Sequence, residues 1–344
     1  MLKELKFVMG AVAKKDFLPA MTHFAIEGGT VRSYNGCVAL SAPIAFDIDC
    51  KPKADKLVQA ISKCPDNSTP ALSMTTAGRL SIKAGAFKAF IECVTEETPH
   101  VLPDGEVIRL DVEVEKQVDE CGNEVAPPLT LGGVLLKALQ VLAPFIGDDA
   151  SRPWSNGVLF RGQSAFATNN VLLVEYWVGA QIPITVNVPR VAIREMLRIN
   201  EAPTHAQVTP TSMTFHYKDK RWIRTQLLEL AWPDLDPLLN KQCSPVALPE
   251  ELFNGLEKLE PFADKMGRVF IHEGVLSTLP HGGGQPVDEG AYFELPNFPF
   301  NGIYQIQMLM LLRGVAQQAD LSMYPSPCVF YGDRLRGAVI GMKP

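Results

Sequence analysis

The chain has 344 residues, 47% of them hydrophobic and 20% charged, with a formal net charge of −6. That balance describes a water-soluble globular protein long enough for two or three cored domains. No apolar run reaches the ~18 residues of a membrane span, and the opening MLKELKFVMGAVAKKDF lacks a signal-peptide core. A cytoplasmic location is the expectation.

In chain order, Leu2–Phe17 reads as a helix closed by Lys14 and Lys15. Two strands follow in HFAIEGGTVRSYNGCVALSAPI, turning at Gly28-Gly29. Lys51–Cys64 predicts a second helix, with Leu57, Val58 and Ile61 opposing Lys53, Lys56 and Lys63. Ala71–Val94 alternates as strand–turn–strand around Gly85. The segment Pro103–Pro128 reads as a boundary: Asp111–Glu115 has strand character, and Asp119–Glu124 and Pro127-Pro128 interrupt any regular pattern.

The order then repeats. Leu131–Ile146 predicts a helix, and the runs NGVLF, SAFATNN and VLLVEYWV predict strands. Ile184–Ile199 reads as a strand, a turn led by Pro189 and an amphipathic helix. Ile193, Met196, Leu197 and Asn200 share one face of that helix, and Arg190, Arg194 and Arg198 share another. His205–Leu230 is a hairpin around Lys218–Lys220, and Trp232–Pro237 opens a second proline-rich boundary that runs to Pro249. A third round has a helix at Pro249–Asp264, a glycine-rich middle, a helix at Tyr304–Ala316 carrying only Arg313, and a hairpin at Leu321–Met342 around Gly332-Asp333. Helix, strands, helix, hairpin thus recurs three times. The expected fold class is α+β, with domains at 1–120, 121–244 and 245–344.

Charge is distributed unevenly. Five of the six candidate helices are net positive, and only 249–264 is negative, at −4. Basic helices set against acidic strands and loops suit a polyanion on the helix side. Chemistry-bearing motifs are missing: there is no P-loop and no G-x-S-x-G elbow. Cys37, Cys50, Cys64, Cys93, Cys121, Cys243 and Cys328 are scattered, odd in number and without a C-x-x-C pair, which argues against disulfides and zinc. His281-Gly282-Gly283-Gly284 reads as a flexible loop, and Asp234 with Asp236 as a boundary turn. No enzyme activity, metal or cofactor is expected.

Several phrases in matching order resemble the bacterial DNA polymerase III beta subunit family, the sliding clamps. They are Leu18-Pro19 with the strands after it, SIKAGAFKAFIECV, Asn156–Phe160, Phe166-Ala167-Thr168, Val188-Pro189-Arg190, Leu227–Asp234 and Ala338–Met342. The resemblance spans essentially the whole chain and is most specific between Phe160 and Pro233. It implies three repeated clamp domains, each with two helices packed on β-sheets. Two chains would close head to tail into a ring with helices inside and sheets outside. Such a homodimer encircles duplex DNA without reading sequence and tethers a DNA polymerase and a clamp loader through a short peptide motif. The alternative is a clamp-like peptide-binding scaffold that does not close around DNA.

Carried over by position, the implied DNA-binding residues are Lys14, Lys15, Lys53, Lys56, Arg152, Trp154, Arg190, Arg194 and Arg198. The implied peptide pocket comprises Thr168, Leu172, Leu173, Pro233, Leu238, Met308, Val339, Ile340 and Met342. The implied dimer seam holds Phe90, Leu259 and Phe262. The chain departs from the family where clamps commonly have Thr-Asp-Gly-His-Arg-Leu and it has Thr168-Asn169-Asn170-Val171-Leu172-Leu173. It departs again at the C-terminus, where Gly341-Met342-Lys343-Pro344 replaces Met-Pro-Met-Arg-Leu. Both changes fall at the implied pocket, and replacing the family's His-Arg pair by Val171 and Leu172 makes it less polar, so a more apolar peptide is expected. Divergence of this degree resembles virus- or plasmid-encoded clamps.

Overall fold

A computed structural model describes residues 1–15, 18–46, 48–65, 69–99, 101–118, 124–280 and 290–343. The loop read as flexible at 281–284 lies outside them, as does Cys121. The described helices are α1 (Leu2–Val8), α2 (Ala54–Ser62), α3 (Leu131–Leu142), α4 (Arg190–Ile199), α5 (Asp236–Leu239), α6 (Glu250–Leu259) and α7 (Ile306–Met310). None is long and apolar enough to cross a membrane. The chain divides into two compact units: Met1–Leu136 with Val188–Leu228, and Lys137–Asn187 with Glu229–Pro344.

The first unit is built on a seven-stranded antiparallel sheet. Its order is Ala25–Glu27, Thr30–Tyr34, Val38–Pro43, Trp222–Gln226, Ser212–His216, His205–Val208, Glu106–Arg109. The central pairing, Trp222 opposite Ser41 and Ile223 opposite Leu40, joins hairpins far apart in sequence. Gly28 and Gly29 turn the first hairpin with φ of 54° and 71°, the left-handed pair that a two-residue connection requires. Ala71–Met74, Leu80–Ala84 and Phe87–Ile91 form a separate three-stranded sheet.

Helix α1 packs against α2 and stops at Val8, well short of the expected Phe17; a 3-10 turn, Met9–Ala11, follows. Gly10 explains the geometry, because a Cβ there would sit 1.8 Å from Glu195 Oε2. Arg198 closes the contact by donating to the Phe7 carbonyl at 2.7 Å while pairing with Glu195 at 2.7 Å. Below it, the buried Arg221 guanidinium pairs with Glu201 at 2.5 Å and lies over the Phe7 ring at 5.1 Å. The segment expected to break all order at Pro127-Pro128 instead lies in a strand, Glu124–Thr130, paired with Glu113–Val118. Register shifts along that two-stranded ladder accommodate residues that cannot donate a ladder hydrogen bond.

The second unit carries an eight-stranded sheet. Its order is Val186–Pro189, Gly157–Arg161, Ser164–Thr168, Leu172–Trp177, Leu335–Val339, Cys328–Gly332, Gln318–Asp320, Val246–Ala247. Again the central pairing is long-range, with Leu173 opposite Ala338. A four-stranded sheet holds Tyr292–Glu294, Val275–Ser277, Arg268–His272 and Gly302–Gln305. The helix expected over Tyr304–Ala316 is only α7. Tyr304 is taken into the four-stranded sheet opposite Val269 and is fully buried, where an aromatic side chain packs better than on an exposed helical turn.

Candidate functional site

Residues of the long pairing in the second unit open onto an apolar cavity. Thr168, Asn170, Val171, Leu172 and Leu173 supply one wall, Trp232, Pro233, Leu235 and Leu238 a second, and Pro327, Ala338 and Ile340 a third, with Trp154 completing the lining. Beneath it, Leu159, Phe166, Leu173, Leu235, Leu239 and Ala338 form one buried cluster, against which Trp232 and Leu238 pack. The cavity floor is therefore the top of a hydrophobic core and keeps its shape without a ligand.

The turn at 168–172 is fixed by its own polar atoms. Asn169 Oδ1 accepts from the backbone N–H groups of Val171 and Leu172 at 3.1 and 2.8 Å. Thr168 Oγ1 donates to the Leu172 carbonyl at 2.8 Å. Asn170 has φ of 70°, a left-handed conformation that asparagine tolerates and that stands where the resemblance has glycine. Arg152 donates to Asn170 Oδ1 at 3.0 Å on the rim. Beside it, the hydroxyl and the backbone N–H of Ser151 hold the Asp149 carboxyl below the usual carboxylate range. The Trp154 and Trp232 rings meet at 5.1 Å, and fully buried Asn187 ties both their segments together by donating to the Trp154 and Glu229 carbonyls.

Of the nine residues expected at a pocket, Thr168, Leu172, Leu173, Pro233, Leu238 and Ile340 line this cavity. Met308, Val339 and Met342 do not. Val339 is buried in the strand opposite Leu172 and is not among the lining residues. Met308 Sδ instead accepts from Asn169 Nδ2 at 3.2 Å, and Met342 is anchored by its backbone to Ile303 and Tyr324. Trp154, expected on a DNA-touching rim, belongs to the cavity wall. Trp232, Leu235, Pro327 and Ala338 escaped sequence reasoning; a tryptophan inside a proline-rich boundary was the one available signal.

The basic residues expected on helices fall mostly in the first unit. Lys14 and Lys15 are exposed on a bend after the 3-10 turn, Lys56 and Arg194 are exposed on α2 and α4, and Lys53 and Arg190 are half-buried at the starts of those helices. Arg198 is held by Glu195 and the end of α1. Among the proposed seam residues, Phe90 and Phe262 are 53% and 56% exposed, but Leu259 is 1% exposed on the inner face of α6 and offers no surface. Among the described residues no cluster of side chains could hold a metal ion. Asp234 Oδ1 accepts from the Asp236 backbone N–H at 3.2 Å, which fits the expected turn.

No family model matches the chain, and no curated protein does. Solved structures do. The DnaN sliding clamp (DNA polymerase III subunit beta) of Bartonella birtlesii, bound to griselimycin, matches with a TM-score of 0.79 at 16% identity, covering 100% of this chain and 97% of that one. The chain has the sliding-clamp fold. Caulobacter crescentus pol III beta matches with a TM-score of 0.79 at 17% identity, and the DNA polymerase sliding clamp of Bacillus subtilis with 0.78 at 12%. Each covers 100% of this chain and 97% of the other. At such identities it is the clamp fold that is shared, and the α+β class expected from the sequence holds along the whole chain.

Proposed function

We propose that the chain is a DNA sliding clamp, a replication processivity factor rather than an enzyme, that needs no cofactor. The observation that carries this reading is the end-to-end likeness to solved sliding clamps, 100% of this chain against 97% of theirs. In this reading domains 1–120, 121–244 and 245–344 repeat one fold, and two chains close head to tail around duplex DNA. Support for three domains comes from the two large sheets. Each is joined at its middle by strands distant in sequence, as expected where one domain's sheet continues into the next.

Lys14, Lys15, Lys53, Lys56, Arg190 and Arg194 then contact phosphates, with Arg152 at the rim; contacts of this kind hold DNA without reading bases. Arg198 acts instead as a positioning residue for α1. The cavity takes a short apolar segment of the polymerase and of the clamp loader. The seam brings the edge strand that carries exposed Phe90 against exposed Phe262, on the 3-10 turn after α6. The protein works in the cytoplasm.

The test is retention on nicked circular DNA. The clamp should stay on the circle and be lost when the circle is linearised, and light scattering should give twice the 37.7 kDa chain mass. Equal retention on circle and line, with a strict monomer at high concentration, would overturn the reading.

A further inference from the structure

The asparagine-capped turn beside the cavity has a counterpart in the first unit. Asn35 Oδ1 accepts from the backbone N–H groups of Cys37 and Val38 at 3.1 and 2.9 Å, as Asn169 Oδ1 does from Val171 and Leu172. Gly36, with φ of 91°, stands where Asn170 does. The strands after the two turns pair alike. Tyr34 lies opposite Ala39 and Ala39 opposite Arg224, matching Thr168 opposite Leu173 and Leu173 opposite Ala338. At this matching place the first unit has a cleft of its own, lined by Tyr34, Cys37, Val101, Leu102 and Arg224 among others.

Its chemistry is different. Arg224 stands where the apolar cavity has Ala338 and is the one cation on the lining. The side chain is half-buried, and its Nη1 donates to the Leu102 carbonyl, which fixes the guanidinium in place. No carboxylate among the described residues pairs with it, and its remaining donors stay open to water. Asp104 also lines the cleft, but at its exposed rim, where one oxygen accepts from the Gly105 N–H at 2.7 Å. A held guanidinium with free donors is matched by a carboxylate. Leu102, 51% exposed beside it, offers an apolar contact.

We propose that this cleft is a second docking site, taking a peptide segment that sets an acidic side chain on Arg224 next to an aliphatic one on Leu102. The inference rests on the docking role proposed for the apolar cavity only for the class of ligand. Two partner segments of different chemistry could then be held at once, one apolar and one acidic.

Exposed Cys37 on the lining provides the test. The whole protein is equilibrated, under thiol exchange with 2-mercaptoethanol, with the capped peptides Cys-Gly-Leu-Glu and Cys-Gly-Leu-Gln and with versions lacking the glycine. Intact mass gives the fraction captured, peptide mapping restricts the count to Cys37, and Cys37→Ser is the blank. The Glu peptide should be captured roughly three- to tenfold more than the Gln peptide, as expected for one charge-assisted contact partly in water. Folded Arg224→Gln, checked by its urea midpoint, should capture both equally. In wild type the preference should also vanish at about 1 M salt, where charges are screened within ~3 Å; this arm decides if Arg224→Gln does not fold. Equal capture of both peptides by wild type, or a preference that survives Arg224→Gln or high salt, would overturn the inference. A fluorescein-labelled Gln-Leu-Ser-Leu-Phe peptide, added to the same samples, reads the apolar cavity. If it fails to bind, the docking role of that cavity falls, while a Glu preference at Cys37 still establishes the second site.

Discussion

Helices α4 and α6 are built alike and charged oppositely. Each has ten residues and follows an extended proline, Pro189 with φ −70° and ψ 149°, Pro249 with φ −73° and ψ 147°. Each buries one stripe: Ala192, Ile193 and Met196 in α4, and Leu252, Phe253, Leu256 and Leu259 in α6. Their outer faces diverge. α4 presents Arg190, Arg194 and Arg198 against Glu195, whereas α6 presents Glu250, Glu251 and Glu257 against Lys258. Arg313 is drawn into pairs with Glu250 and Glu257 and so is committed within its own unit. The fold constrains only the apolar stripe, so the other face is free to be shaped by what it binds. On the proposed function, α4 meets phosphates and α6 does not.

Stability provides the largest contrast. α4's surroundings depend on Arg221, buried over Phe7 and paired with the half-exposed Glu201, so Arg221→Ala should cost about 1–2 kcal/mol in urea denaturation. Arg313→Ala, beside α6, removes only an exposed pair and should leave the urea midpoint nearly unchanged. Equal losses would mean that both helices are held by charge. Next comes DNA affinity: neutralising Arg190 and Arg194 together should flatten the slope of log K against log salt by roughly 0.9 per lost contact. An unchanged slope would remove α4 from the DNA surface.

A smaller effect is expected from Glu250→Gln with Glu257→Gln, which should raise DNA affinity a few-fold by relieving repulsion and releasing Arg313. No change would put α6 beyond electrostatic reach of the duplex.

A further contrast is in acid. The unit containing α4 also holds His216, its ring stacked on His205 at 4.2 Å, and burial followed by the His205 charge lowers its pKa from 6.5 to about 4. His216 bonds Gln207, and the Arg109–Asp111 pair lies on the next strand, where Arg109 is opposite His205. Between pH 6.5 and 4 the unfolded chain binds more protons at this position than the folded one. Stability should therefore fall as pH falls through that window and level off below it. His216→Asn should remove that part of the slope in pH-dependent urea melts, and an unaltered slope would assign it to other groups.

Much of this was legible in the sequence because helical stripes and glycine turns are local. The burial of Ile193 and Met196 and the turn at Gly28-Gly29 follow directly from spacing. What escaped reading depends on pairing across long separations. Val339 and Ile340 are both expected at the cavity, yet Val339 is buried inside the strand while Ile340, just past the strand's end, is the one that lines it, and the end of that strand is set by its pairing with Leu172–Tyr176 far back in the chain. Trp154 is placed toward DNA by the resemblance alone; Asn187, more than thirty residues away, is what ties its loop to the cavity wall. Leu259 looked like a seam residue by position, but the stripe it shares with Leu252 and Leu256 buries it.

The long-range pairing of Val38–Pro43 with Trp222–Gln226 also bears on how the chain is made. As the ribosome extends the polypeptide, the first hairpins emerge with an apolar strand whose outer edge has no partner until about 180 more residues have appeared. At roughly 5–20 residues per second that interval lasts on the order of ten seconds or more. An uncovered strand edge recruits other strands during such a wait. Nascent chains truncated before Trp222 should consequently lean on a holdase more than chains truncated after Gln226, in which only the edge of Leu172–Trp177 still waits for Leu335–Val339.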